Sequence, residues 1–211
     1  MRTTTELRET ILDAARTEFA QYGLAGARID RIAGAAQASK ERLYAHFKDK
    51  EALFRSVVAA DSAEFFAAVT LRPDAVPEFA GDVYDLACRR PEHLRMITWA
   101  SLEGLSLDPP PVGEWDSVPA RDIAVIEAAQ AAGYVDEIWH PMDLLVLLFG
   151  IGLAWAQSPH PDAVATDPAI SAARRAAAVE AARRVVLPAH ESGRAAGVST
   201  PGRAARHVSM P

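Results

Sequence analysis

A chain of 211 residues, half of them hydrophobic, is long enough for one ordinary domain or for a small one joined to a larger. Its single cysteine, Cys88, excludes an intrachain disulfide framework, and neither a secretory leader nor an apolar run of about 20 residues is present, so a cytoplasmic location with no membrane partner is expected. The formal net charge of −6 speaks against nucleic acid only until it is divided: residues 1–55 carry +2, residues 56–169 carry −13 and residues 170–211 carry +5, so phosphate contacts belong near the N-terminus.

Thr3 and Glu6 stand at capping-box spacing ahead of Leu7, Ile11, Ala15 and Phe19, which predicts a first helix ended at Tyr22-Gly23. Ile29, Ile32, Ala33 and Ala36 form the stripe of a second helix. Ser39 is a suitable N-cap for a third, striped by Leu43 and Phe47. Two short helices around a tight break read as helix-turn-helix. With Leu43 and Phe47 turned inward, Glu41, Arg42, Tyr44 and Ala45 face outward with Lys40 at the leading end, a surface suited to a DNA major groove.

These residues resemble the TetR-type (tetracycline-repressor-like) bacterial transcriptional regulators. Ile32-Ala33, Ser39-Lys40, Leu43-Tyr44, His46-Phe47 and Lys50-Glu51-Ala52-Leu53 stand where the family pattern puts them, over roughly residues 5 to 55. Arg28 replaces the usual Thr cap, Gln37 the usual turn Gly, Glu41 a frequent Gly and Arg42 a frequent Thr. Gln37 must therefore close the turn without glycine's freedom at positive φ. The resemblance implies that Arg28, Ser39, Lys40, Glu41, Arg42, Tyr44, Ala45, His46 and Lys50 meet DNA. Among them Lys40, Glu41, Arg42 and Ala45 would face bases, and Tyr44, His46 and Lys50 phosphates.

A fourth helix is predicted from Lys50 to about Leu71, stopped by Arg72-Pro73. Val76, Phe79, Val83 and Leu86 stripe a fifth; Pro91 opens a sixth carrying Leu94, Ile97, Thr98 and Leu105. Residues Ser106 to Val118, with prolines at 109–111, must be an irregular connection. Ile123, Ile126 and Ala129 mark a seventh helix closed by Gly133, Pro141 opens an eighth, and Asp167-Pro168 caps a ninth reaching about Leu187. No strand pattern occurs. The expected fold is all-α: a helix-turn-helix domain at 1–49, a helical-bundle regulatory and dimerisation domain at 50–191 and a disordered tail at 192–211.

The eighth helix is apolar on every side from Leu144 to Trp155, and Gly150 and Ala154 would let a neighbour approach. The ninth offers Ile170, Ala173, Ala177, Ala181 and Val185 as a small-residue stripe. Together they look like the two-fold four-helix homodimer interface that the resemblance implies.

Gly150-Ile151-Gly152 lies inside a helix with no preceding strand and is not read as a dinucleotide fingerprint. The six histidines lack ligand spacing, so neither a metal nor a cofactor is expected. Phe79, Tyr84, Met96, Trp99, Glu103, Phe149 and Trp155 are candidates for an apolar small-molecule pocket between helices, and the acidic balance would suit a cationic ligand on aromatic faces. The function expected is that of a ligand-responsive repressor acting as a homodimer on a palindromic operator. The alternatives are a ligand-independent helix-turn-helix interaction module, or a helical enzyme, for which no nucleophile, acid–base pair or cofactor motif is visible.

Overall fold

The computed structural model describes residues 3–104, 117–159 and 167–187, and among these all regular structure is helical. The elements run α1 (Thr4–Gly26), α2 (Ile29–Ala35), α3 (Lys40–His46), α4 (Lys50–Ala68), α5 (Val76–Arg89), α6 (Pro91–Leu102), α7 (Ser117–Ala131), α8 (Pro141–Leu153) and α9 (Pro168–Val186). The expected disordered tail at 192–211, most of the proline-rich connection and Leu105 lie outside the described residues.

Local signals fix most boundaries. The Thr3 hydroxyl accepts from the Glu6 amide at 3.2 Å while the Glu6 carboxylate accepts from the Thr3 amide at 2.8 Å, completing the capping box. Asp49 caps α4 through the Ala52 amide at 2.7 Å, and Asp167 caps α9 through the Ala169 amide at 2.8 Å. Gly23 interrupts α1 at φ +66°, and a Cβ there would sit 2.9 Å from the indole ring of Trp99. Glycine is thus required twice over, by backbone conformation and by the close approach of α6.

α4 ends at Ala68, three residues before the expected Leu71. Val69 is extended, and both Val69 and Leu71 are buried in the C-terminal core. Residues two apart reach one side from extended backbone, whereas a helix would turn them about 200° from each other. Burial therefore overrides helix continuation.

Two apolar cores result. One gathers Ile11, Ala15 and Phe19 of α1, Ile32 of α2, Leu43 of α3 and Leu53, Phe54 and Val57 of α4, with Phe19 and Phe54 edge to face at 5.0 Å. It also takes Met96 and Ala100 from α6. The other gathers Phe65, Phe79, Val83, Ile126, Leu144, Leu148 and Val186. Thus α4 and α6 each contribute to both halves, and the N-terminal core runs past residue 49.

Within the second core α8 and α9 both lie on α5. Their closeness is set by glycines: a Cβ on Gly152 would meet the Val83 side chain at 2.6 Å and the Ala80 carbonyl at 2.8 Å, and one on Gly81 would meet Val179 at 2.8 Å. A Cβ on Gly150, by contrast, would meet nothing within 4 Å among the described residues, and Met142, Val146 and Leu147 of α8 are exposed.

Candidate functional site

α3 owes its orientation to Leu43 and Phe47, which are 0% and 4% exposed. Ser39 caps it, its hydroxyl accepting from the Arg42 amide at 3.3 Å. Lys40, Glu41, Arg42, Tyr44 and Ala45 are all exposed, as the helical wheel requires, and His46 is half-buried at the end, tilted against Phe47. The charges on this face are not equivalent. Lys40 is held by Asp30 of α2 at 2.6 Å, and that bond raises its pKa above the ordinary lysine value. The Glu41 carboxyl is lowered by its own backbone amide and the Ser39 hydroxyl. Arg42 has no ion-pair partner among the described residues and presents a free fork of donors.

The helix-turn-helix is locked from behind by Glu18. This buried carboxylate accepts from the Arg31 guanidinium at 2.8 Å and from the backbone amide of Arg28 at 2.9 Å. Burial works to raise the Glu18 carboxyl, but these bonds outweigh it and hold it below the ordinary value. Arg28 therefore enters α2 through its backbone, with no side-chain cap and its side chain exposed. Gln37 does close the turn in the left-handed region, at φ +54°, while Ala38 donates to the Ala33 carbonyl at 2.9 Å. That conformation costs a non-glycine residue about 1 kcal/mol. Lys50 donates to the carbonyls of Ala25 and Ala27, both at 3.3 Å, so two of its three donors cap the end of α1.

A cleft of about 810 Å³ opens in the C-terminal half between α5, α6 and the residues following α8. Tyr84, Leu94, Ile97, Leu102 and Trp155 supply its apolar walls; Cys88, Arg95, Thr98, Ser101 and Gln157 also line it. Tyr84 and Trp155 meet edge to face at 5.4 Å, and the Tyr84 hydroxyl pairs with Ser171 of α9 at 3.3 Å. Of the seven pocket candidates from sequence, only these two line the cleft. Phe79 and Phe149 meet edge to face in the second core at 5.1 Å, and Glu103 is the exposed C-cap of α6.

Met96 and Trp99 point the other way. Leu94, Ile97, Thr98 and Ser101 recur at i, i+3, i+4 and i+7 and line the cleft, while His93, Met96 and Ala100 are buried on the other side of α6. Trp99 lies over Gly23 and its indole N–H donates to the Ala20 carbonyl at 3.4 Å. Arg95, Thr98 and Ser101 are not among the pocket candidates from sequence, because a polar residue beside a cleft looks like one beside solvent. Trp99→Ala should accordingly lower unfolding free energy by about 3 kcal/mol in urea titrations, the low end for tryptophan, and weaken DNA binding with it. Unchanged stability would mean that the ring does not tie α6 to α1.

The same junction buries a polar cluster. Asp61 of α4 is fully buried and accepts from Arg16 Nε of α1 at 2.6 Å; Arg16 also pairs with Asp13 at 2.8 Å. His93 of α6 is buried near it, and Asp61 Oδ2, Ser62 Oγ and His93 Nδ1 find no partner among the described residues. No helix is long and apolar enough to cross a membrane, and no group of three or more metal-ligating side chains occurs among the described residues.

Comparison with known proteins agrees with this layout. Residues 11–57 match the profile of the tetR family of bacterial regulatory proteins, and residues 75–184 match the tetracyclin repressor-like C-terminal domain. The chain is 34% identical over 146 residues to the HTH-type transcriptional repressor SCO4008 of Streptomyces coelicolor, covering 69% of this chain and 76% of that one. It is 31% identical over 134 residues to the A-factor receptor protein of Streptomyces griseus, spanning 63% of this chain and 48% of that one. The crystal structure of the transcriptional regulator SCO4942 from Streptomyces coelicolor superposes with a TM-score of 0.73 at 39% identity, over 85% of this chain and 97% of the other. With both halves matched and repressors among the relatives, the helical-enzyme alternative falls away, and the chain belongs to the TetR family of DNA-binding transcriptional regulators.

Proposed function

We propose that this regulator is a ligand-responsive cytoplasmic repressor that binds a palindromic operator as a homodimer and leaves it when a small molecule fills the α5–α6 cleft. The observation that carries the ligand response is the two-sidedness of α6, with Leu94, Ile97 and Thr98 in the cleft and Met96 and Ala100 in the DNA-binding core. Any ligand that shifts α6 acts on the seating of α1, provided that it binds the DNA-incompetent state more tightly. The homodimer reading is supported by the apolar residues of α8 and α9 that are exposed in the single chain, Val146, Leu147 and Ile170 among them.

On DNA, α3 lies in the major groove with Arg42 as its free cation, and Lys50 offers its third donor to a phosphate. Arg28, Ser39, Tyr44 and His46 flank this contact as backbone-positioning groups, while Lys40, Glu41 and Ala45 meet base edges. Mobility shifts on the DNA flanking the chain's own gene, across single-base variants and salt, test the division. Arg42→Ala should cost about 1–3 kcal/mol at one base pair and relax the preference there. Lys50→Ala should weaken all sequences alike and flatten the log–log salt plot by about 0.9 per lost contact, or about 1.8 for a dimer. A uniform loss for Arg42→Ala would move that residue to a phosphate.

A further inference from the structure

Among the described residues, the lining of the α5–α6 cleft contains one charged side chain, Arg95, and no carboxylate. Arg95 has no ion-pair or hydrogen-bond partner among the described residues, whereas Arg90, Arg121, Arg175, Arg183 and Arg184 of the same half are each engaged by an aspartate or glutamate. Asp85, near the cleft on α5, is taken by Arg175 at 2.8 Å. Glu92 and Glu103, towards the two ends of α6, lie outside the lining. The net −13 of residues 56–169 would favour a cation only if distant charges counted, and at 0.15 M salt their influence decays over about 8 Å. Among the described residues, the charge that a ligand meets at contact is therefore one guanidinium, reversing the preference that overall charge suggests.

We infer that the cleft takes an amphipathic monoanion, an aromatic or other apolar body carrying a single carboxylate or similar oxyanion. The body lies among Tyr84, Leu94, Ile97, Leu102 and Trp155, and the head meets the planar fork of Arg95, which matches a carboxylate's two oxygens. Ser101 supplies a further hydroxyl, unbonded among the described residues. Thr98 contributes less as a donor, since its hydroxyl already donates to the Leu94 carbonyl at 2.9 Å. A volume of about 810 Å³ accommodates a molecule of drug size.

This inference rests on reading the cleft as the effector site, and one calorimetric series separates the two. The full chain is titrated with three probes sharing a naphthalene ring: 1-naphthylacetate, 1-naphthaleneethanol and 1-naphthylethylammonium. The acetate should bind about tenfold or more tighter than the alcohol, and the ammonium most weakly. Arg95→Gln should bring the acetate down to the level of the alcohol without altering the alcohol itself, and Arg95→Lys should retain part of the preference. Equal binding of all three, unaffected by Arg95→Gln, would overturn the anion and leave the cleft as an apolar site. Binding of none at millimolar concentration would overturn both.

Discussion

Arg16→Ala is expected to destabilise the protein by about 3–5 kcal/mol, because it leaves the Asp61 carboxylate buried beneath the DNA-binding domain without its cation. For a chain of this size that is a fall in Tm of roughly 6–20 °C. Burial is the largest influence on Asp61 and pushes its carboxyl above the ordinary value, against the hydrogen bond and charge of Arg16 and the charge of His93, and with the repulsion of Glu64. A carboxyl raised in the folded state contributes stability that is fully present below its unfolded pKa, about 3.9, and lost as pH rises through the folded value. Removing Arg16 deletes the main influence holding Asp61 down. The deficit of Arg16→Ala relative to wild type should therefore shrink as pH falls from neutral towards the unfolded carboxyl's own range, and Asp61→Asn in the same chain should restore most of the loss. A deficit independent of pH and unrelieved by Asn would assign the effect to packing of the arginine stem.

Ala177→Glu and Leu147→Glu should abolish self-association. Both side chains are exposed in the single chain, Leu147 at 42%, so a carboxylate at either position leaves the protomer's own core intact. In a two-fold interface the same charge is buried beside its symmetry mate, at several kcal/mol, or a thousandfold or more in association. Sedimentation at micromolar concentration should show a wild-type dimer and variant monomers with unchanged helical content. A monomeric wild type would remove the homodimer.

Features set within a few residues were legible in the sequence. The Thr3–Glu6 box, the Ser39 and Asp167 caps and the Leu43/Phe47 stripe each depend on near neighbours, and each is found where expected. Gln37, which stands where the family resemblance puts a turn glycine, does adopt positive φ. Features that depend on distant partners were not legible. Arg16 and Asp61 are 45 residues apart, and nothing local marks either as buried. α6 is apolar on two sides, so its periodicity does not say which side meets the cleft, and Trp99 and Met96 lie on the side away from it. The early end of α4 likewise needed the core into which Val69 and Leu71 fold.

Protection of the DNA flanking the chain's own gene, mapped at single-base resolution, tests the central claim most directly. Two α3 helices related by a two-fold axis should protect palindromic half-sites whose centres lie about one helical turn apart, or a multiple of it, on one face of the duplex. Ala177→Glu should lose that protection at concentrations where wild type saturates. An isolated half-site protected as strongly as the full site, by wild type and variant alike, would contradict the account.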